Sequence, residues 1–306
     1  MKTDPKIAIV CAADANYFNL LKGLIESVDP FLKRRDATLC VLDLGLDADH
    51  LEWIKNRASQ IVAADWDIDF SWQNEAPGYF RAMTARPFLP KHFPGYDVYL
   101  WIDSDAWVQN DLALDIYVRA ALKGKLPITP EIDRSYWTMA KRPKMFGWDQ
   151  NFKAYKFCFG FRVANRLARN PILNSGVFAL RHDAPHWGLW QSALTRAIQG
   201  KKKAPDISAL PFKLMEQTAL NFIVFADNAP VTLLPATYNW FCGKGTPMLD
   251  HKECKLVEPN EPHQEIGVVH MAGDRIHERA FCLETTQGGI CETKVTFEAI
   301  KALGAG

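Results

Sequence analysis

Short, continuous apolar runs alternate along the first third of the chain with segments whose apolar residues fall at helical spacing. IAIVCAA (residues 7–13) has no polar interruption, as expected of a strand buried on both faces. After it, Phe18, Leu21, Leu24, Ile25 and Val28 recur with a helical period, and Asp29-Pro30 predicts where that helix stops. TLCVLDLG (38–45) reads as a second strand, DADHLEWIKNRA (47–58) as a short helix capped by its Asp residues, and QIVAAD (60–65) as a third strand. Residues 66–78 show no period and read as a loop. Residues 79–95 begin as a helix that three prolines should break. DVYLWID (97–103) is the fourth predicted strand.

The second half repeats these signals less regularly. Helices are predicted over 112–124, 186–200 and 211–228, a strand over 174–181, and short strands within 231–240 and 265–273. Strands alternating with helices predict an α/β fold with a Rossmann-like, mostly parallel central sheet flanked by helices. Such sheets bind ligands beyond the carboxyl ends of their strands. Asp14, Asp65, Asp103 and Asp105 all fall at predicted carboxyl ends. With no repeat and no low-complexity linker, residues 1–306 are expected to form one domain. Within it, 7–115 would be one half, 116–277 a more variable second half, and 278–306 a C-terminal extension.

Composition narrows the class of function. The 306 residues are 48% hydrophobic, enough for a large core, and 36 basic against 35 acidic residues leave no global charge to attract nucleic acid. Seven scattered cysteines without a CxxC pair fit buried thiols in a reducing compartment better than a disulfide framework, a Cys282–Cys291 bridge being the weaker alternative. The charged N-terminus and the absence of a long apolar run make the cytoplasm the expected location. Charge is concentrated locally. Residues 134–169 hold nine basic residues, nine aromatics and one acid, Asp149. That segment reads either as a basic helix face with aromatics packed inward, or as a surface for an anionic acceptor or for peripheral contact with the inner membrane face. Trp137 and Trp148 within it are candidates to stack on rings of a ligand.

The stretch IDSDAWV carries the candidate chemistry. Asp103 and Asp105 stand one residue apart at the end of an apolar strand. An isolated Asp-x-Asp is as a rule a capped turn, but two neighbouring acids at a buried strand end repel each other unless a cation or donor compensates them. Magnesium or manganese suits such oxygen ligands and keeps phosphate oxygens in its shell.

CAADANYF, LWIDSDAWV, LNSGVFAL, MEQTALN, LPATYNW and VVHMAGD occur in this order between about residues 7 and 277. Together they resemble the family 8 glycosyltransferases, the retaining GT-A-fold group that includes bacterial lipopolysaccharide galactosyl- and glucosyltransferases and glycogenin. The resemblance implies a hexose transferred from a nucleotide sugar, a UDP-sugar, to a glycan acceptor that is anionic or lipid-linked, with Mn2+ or Mg2+ as cofactor. It implies that Ala12, Ala13, Asp14, Asn16 and Tyr17 receive the nucleotide and that Arg86, rather than Arg81, reaches the donor sugar. Asp103, Asp105 and His270 would hold the metal, with Ser104 on the ribose. Asn174, Ser175 and Gly176 would line the donor-sugar pocket, and Gly273 would approach the diphosphate. Glu216 and Gln217 would be the catalytic pair, with Gln217 facing the anomeric carbon. Two departures stand out: Glu216 occupies a position usually held by Asp, and no Lys follows His-x-x-Gly in register, leaving Arg275 or Lys244 to assist the diphosphate. Two other functions compete. A nucleotidyltransferase would carry a Gly-rich loop after the first strand, which CAADANYF lacks, and a non-catalytic nucleotide- or glycan-binding module would not need the metal ligands.

Overall fold

The computed structural model describes residues 4–137, 146–273 and 275–304, the side chains of 146–148 excepted. Strands β1 (Ile7–Ala13), β2 (Ala37–Asp43), β3 (Gln60–Ala63) and β4 (Val98–Ile102) pair in parallel in the order β3-β2-β1-β4. A short β5 (Ala106–Val108) leaves this sheet. β6 (Leu126–Pro130), β7 (Leu173–Arg181) and β8 (Val231–Leu233) continue it beyond β4 in the order β7-β6-β8. β7 is antiparallel to both neighbours, and every other strand of this sheet runs one way. The sheet is therefore mostly parallel, with one reversed strand in its interior, next to β4.

Two apolar layers sandwich the sheet. On one face, helices Phe18–Arg34 and Leu112–Leu122 bury Leu21, Leu24, Phe31, Leu114 and Tyr117 against alternate residues of β1 and β4. On the other, helices His186–Gln199 and Met215–Phe225 pack with Phe80, Phe212 and Trp72, the last contributed by the aperiodic stretch 66–78. A loop that supplies a fully buried Trp explains why this segment has no amphipathic period.

A second, three-stranded sheet places β12 (Val268–His270) between β5 and β9 (Trp240–Phe241). Two hairpins complete the strands, β10 (Met248–Asp250) with β11 (Lys255–Val257) and β13 (Phe281–Glu284) with β14 (Ile290–Thr293). The cysteines are free, and the hairpin register sets Cys282 opposite Glu292 and Cys291 opposite Leu283, so the two thiols point to opposite faces.

Several expectations need correction. The first helix does not stop at Asp29-Pro30 but runs to Arg34. Phe31 is fully buried, and Arg34 pairs with Asp111 and Asp115, which holds the last turn despite the hydrogen bond lost at Pro30. In 79–95 the prolines start turns rather than end them: Pro87 and Pro90 sit in the first turns of Arg86–Phe88 and Leu89–His92, where the missing N–H costs nothing. The 211–228 helix divides at Leu214 into Leu210–Lys213 and Met215–Phe225. β6 was not anticipated, because Pro127 and Pro130 disguise LPITP as a loop.

Candidate active site

β4 delivers the acids. Asp103 begins a turn immediately beyond Ile102, its N–H donating to the Gly176 carbonyl of β7 (2.8 Å) and its carbonyl accepting from Ala106 (3.0 Å). The chain then enters β5, which pairs antiparallel with β12 so that Ala106 faces His270. Met271 N–H donates to the Asp105 carbonyl at 2.9 Å. This stitching brings a histidine 165 positions downstream of Asp105 to its side, with His270 Nε2 3.2 Å from Asp105 Oδ1. The ligand atoms of Asp103, Asp105 and His270 lie within 4.8 Å of one another.

The surrounding groups fix these ligands. His270 Nδ1 lies 2.8 Å from Asn239 Oδ1, so the ring donates there and turns its Nε2 lone pair toward the acids. Asn239 in turn donates to Asn174 Oδ1 at 3.2 Å. Trp101 Nε1 donates to Asp103 Oδ1 at 2.7 Å, and Arg86 pairs with the same oxygen, which leaves Oδ2 for a ligand. Gly176 leaves room: a Cβ there would sit 2.4 Å from His270 Cε1 and 2.8 Å from Asp103 Oδ2. Two hard carboxylates, one imidazole in the metal-binding tautomer and a glycine cradle fit a divalent cation.

Electrostatics point the same way. Burial raises the Asp103 pKa and Arg86 only partly opposes it, while the neighbouring Asp105 adds to the rise. Asp105 is also desolvated, but His270 outweighs burial and lowers its pKa. Burial disfavours a charged His270, yet Asp105 wins and raises it. Glu216, 1% exposed, is pushed up by desolvation to about 7 against the pull of Arg86. Its Oε2 accepts from Arg86 and from Ser175 Oγ (2.9 Å), whereas its buried Oε1 has no partner among the described residues.

These groups line one cavity of about 450 Å³. Of the residues singled out from sequence, Ala12, Ala13, Asp14 and Tyr17 line its β1 rim, and Arg86, Asp103, Ser104 and Asp105 its centre. Asn174, Ser175, Gly176, Glu216, Gln217, His270 and Gly273 close the far side. Asp14 caps the turn after β1, accepting from Asn16 and Tyr17 N–H at 3.0 and 3.1 Å, and Ser104 Oγ donates to the Ala12 carbonyl. Asn16 itself lies outside the lining, as do Arg81, which holds the Ala64 and Leu44 carbonyls, and Asp65. Arg275 is also outside, paired with Glu278 in an exposed turn. Trp137 Nε1 donates to the Gly243 carbonyl at 3.1 Å. The Trp148 side chain and residues 138–145 of the basic segment lie outside the described residues.

Sequence reading missed Glu131. It follows β6, and its carboxylate accepts from Asn174 Nδ2 (3.0 Å), Gln217 Nε2 (3.3 Å) and Lys244. Its side chain is only 8% exposed, which favours the neutral acid, but Lys244 and these donors hold its pKa below the usual range. The signal was an acid at a strand's carboxyl end, the same signal that marked Asp103, hidden because β6 went unrecognised. Gln217 Oε1 accepts from Ser175 N–H at 3.1 Å, so both ends of its amide are fixed.

Known structures share this architecture. The apo bifunctional glycosyltransferase WbbM is 15% identical over 90% of this chain, with a TM-score of 0.53. The galactosyltransferase LgtC, solved with donor and acceptor sugar analogues, is 15% identical over 87% of this chain and 87% of its own, with a TM-score of 0.50. The fold is the GT-A glycosyltransferase fold. The chain spans 47% of the WbbM chain. No family model and no curated protein sequence matches.

Proposed function

We propose that the protein is a metal-dependent, retaining glycosyltransferase of the family 8 type. It would transfer a hexose from a UDP-sugar to a glycan acceptor in the synthesis of lipopolysaccharide or another surface polysaccharide. The observation that carries this reading is the convergence of Asp103, Asp105 and His270 at the carboxyl end of β4, inside a cavity that also holds Arg86, Glu216 and Gln217. WbbM and LgtC, glycosyltransferases by name, support it through their fold.

Asp103 Oδ2, Asp105 and His270 Nε2 would hold Mn2+ or Mg2+, which when bound neutralises the charge of a leaving nucleoside diphosphate. Asp14 and Tyr17 would receive the nucleoside at the β1 rim, with Ser104 and Gly273 beside the ribose and diphosphate. Glu216 Oε1, buried and without a partner among the described residues, would accept from a sugar hydroxyl, and Arg86 would keep that carboxylate ionised when it does so. Gln217 is held with its Oε1 on Ser175 and its Nε2 on Glu131. An amide is a poor nucleophile, so its role would be to stabilise positive charge developing at the anomeric carbon while the acceptor attacks from the same face.

Thermal unfolding with nucleoside diphosphates tests the reading. UDP at about 100 times its dissociation constant stabilises a fold by about 2.7 kcal/mol. The expected result is a rise in midpoint with UDP and manganese together, absent in Asp105→Ala. No rise with any nucleotide in either condition would remove the basis for the proposal.

A further inference from the structure

We propose that the face formed by helices Phe146–Phe159 and Phe161–Leu167 and the segment 200–213 is a docking surface for an anionic lipid bilayer. This concerns where the enzyme works rather than what it transfers. It rests on the proposed glycosyltransferase reading only in taking the bilayer as the place where the acceptor is found.

Charge is strongly segregated onto this face. Residues 149–169 and 200–213 carry nine Lys and Arg against Asp149 and Asp206, a net of +7. The whole chain is +1, so the remainder carries −6. The bulk neutrality of the chain is thus the sum of one basic face and an acidic body. Helix Phe161–Leu167 is amphipathic in the sense needed to lie on a charged plane. Phe161, Arg162, Asn165, Arg166 and the following Arg169 are exposed and fall on one side, while Ala164, Leu167 and Ala168 are buried on the other. On helix Phe146–Phe159 the exposed stripe is Asp149, Lys153 and Lys156, with the acid already paired to Lys153 at 2.8 Å. The rings of Phe152 and Phe161 meet edge-on with centroids 5.8 Å apart, which joins the two stripes. Lys201 donates to the Phe157 carbonyl and lies over its ring, bringing the Lys201–Lys203 run alongside.

Apolar side chains among these cations decide between a bilayer and a soluble polyanion. Phe161 is 63% exposed, Leu210 49% and Ile207 39%. A purely electrostatic ligand has no use for them, whereas a membrane interface takes large apolar side chains below its headgroups while Lys and Arg stay at the phosphates. The surface also reaches the cavity, since Lys213, at the end of helix Leu210–Lys213, lines it. No described helix is long and apolar enough to cross a membrane, so contact here would be lateral.

Flotation with vesicles of phosphatidylcholine alone or containing phosphatidylglycerol tests the proposal. The expected result is binding to the anionic vesicles only, weakened by salt. Each cation near an anionic surface is worth about 1 kcal/mol, about fivefold in binding, so Arg162→Ala with Arg166→Ala should weaken it about 25-fold. Phe161→Ser should also weaken it while leaving donor hydrolysis unchanged. Absence of binding to anionic vesicles overturns the proposal. So does equal retention of wild type and Phe161→Ser on both vesicles and heparin, which marks a general polyanion surface. Vesicle binding needs neither donor nor metal, so it can survive failure of the transferase reading, and the transferase reading can survive its loss.

Discussion

At the scale of single residues, the site is governed by a mismatch of charge. Asp103, Asp105 and Glu216 are three buried or half-buried carboxylates served by one permanent cation, Arg86, and by His270 when protonated. A group whose folded pKa lies above its unfolded value costs stability as it ionises in the native state. For Glu216 the window runs from 4.5, its ordinary value, up to about 7. Within that window the native state binds more protons than the unfolded chain, so stability falls as pH rises. Glu216→Gln should flatten the loss of thermal midpoint across this range. An unchanged slope would place the unpaired charge elsewhere. Metal binding has the opposite sense, because it must displace the proton on His270, whose pKa Asp105 raises against the opposing effect of burial. Manganese affinity, measured by calorimetry, should therefore rise with pH through the histidine range, and His270→Ala should remove that dependence along with most of the affinity. Asp103, Asp105 and His270 were legible as ligands because the strand pattern located the acids and an ordered set of motifs located the histidine. Glu131 and the Asn239–Asn174 relay were not, since a side chain's partner 40 or more positions away leaves no local periodicity to read.

At the scale of elements, apolar runs and helical spacing located the first four strands to within two residues at their ends, and the helices between them less exactly, the first running on to Arg34 and the second ending at Lys55. Most of their failures share one cause, which is proline. Pro30 lies within a helix, Pro87 and Pro90 open turns, and Pro127 and Pro130 sit in a strand. Each reads locally as a breaker, and each is overridden by burial of its neighbours, as Phe31 shows. If Phe31 and the Arg34 ion pairs carry the last turn past Pro30, then Pro30→Ala restores a helical hydrogen bond without disturbing them. The thermal midpoint should rise, by an amount up to the ~3 kcal/mol that an internal proline costs. A fall would mean that the bend at Pro30 is itself needed for packing. On β7, Gly176 meets the opposite constraint. Gly176→Ala adds a methyl where His270 and Asp103 leave no space, which should cost about 1–3 kcal/mol and abolish manganese-dependent stabilisation by UDP. Retention of that stabilisation would show that the ligands can move apart and still bind.

At the scale of the whole molecule, the metal site depends on chain that sequence reading set aside as an extension. Residues beyond 278 belong to no nucleotide-binding motif, yet Phe281, Leu283, Val295 and Ile300 are buried in one cluster with Trp107 and Val269. Trp107 lies in β5, two positions after Asp105, and its indole N–H donates to the Val295 carbonyl at 2.9 Å while its ring packs edge-on against Phe297 at 5.7 Å. The C-terminal segment thus backs the strand pair β5–β12 that brings His270 to the acids. At roughly 1.5–3 kcal/mol for each large side chain fully buried, these four contribute on the order of 6–12 kcal/mol. That is comparable with the entire stability of a typical fold, about 5–15 kcal/mol. A chain ending at residue 279 should therefore fail to unfold cooperatively, and UDP with manganese should not rescue it, because the platform under Trp107 is gone. A truncated protein that melts cooperatively and still responds to UDP and manganese would mean that β5 and β12 hold their register without support, and that the extension serves some purpose other than building the site.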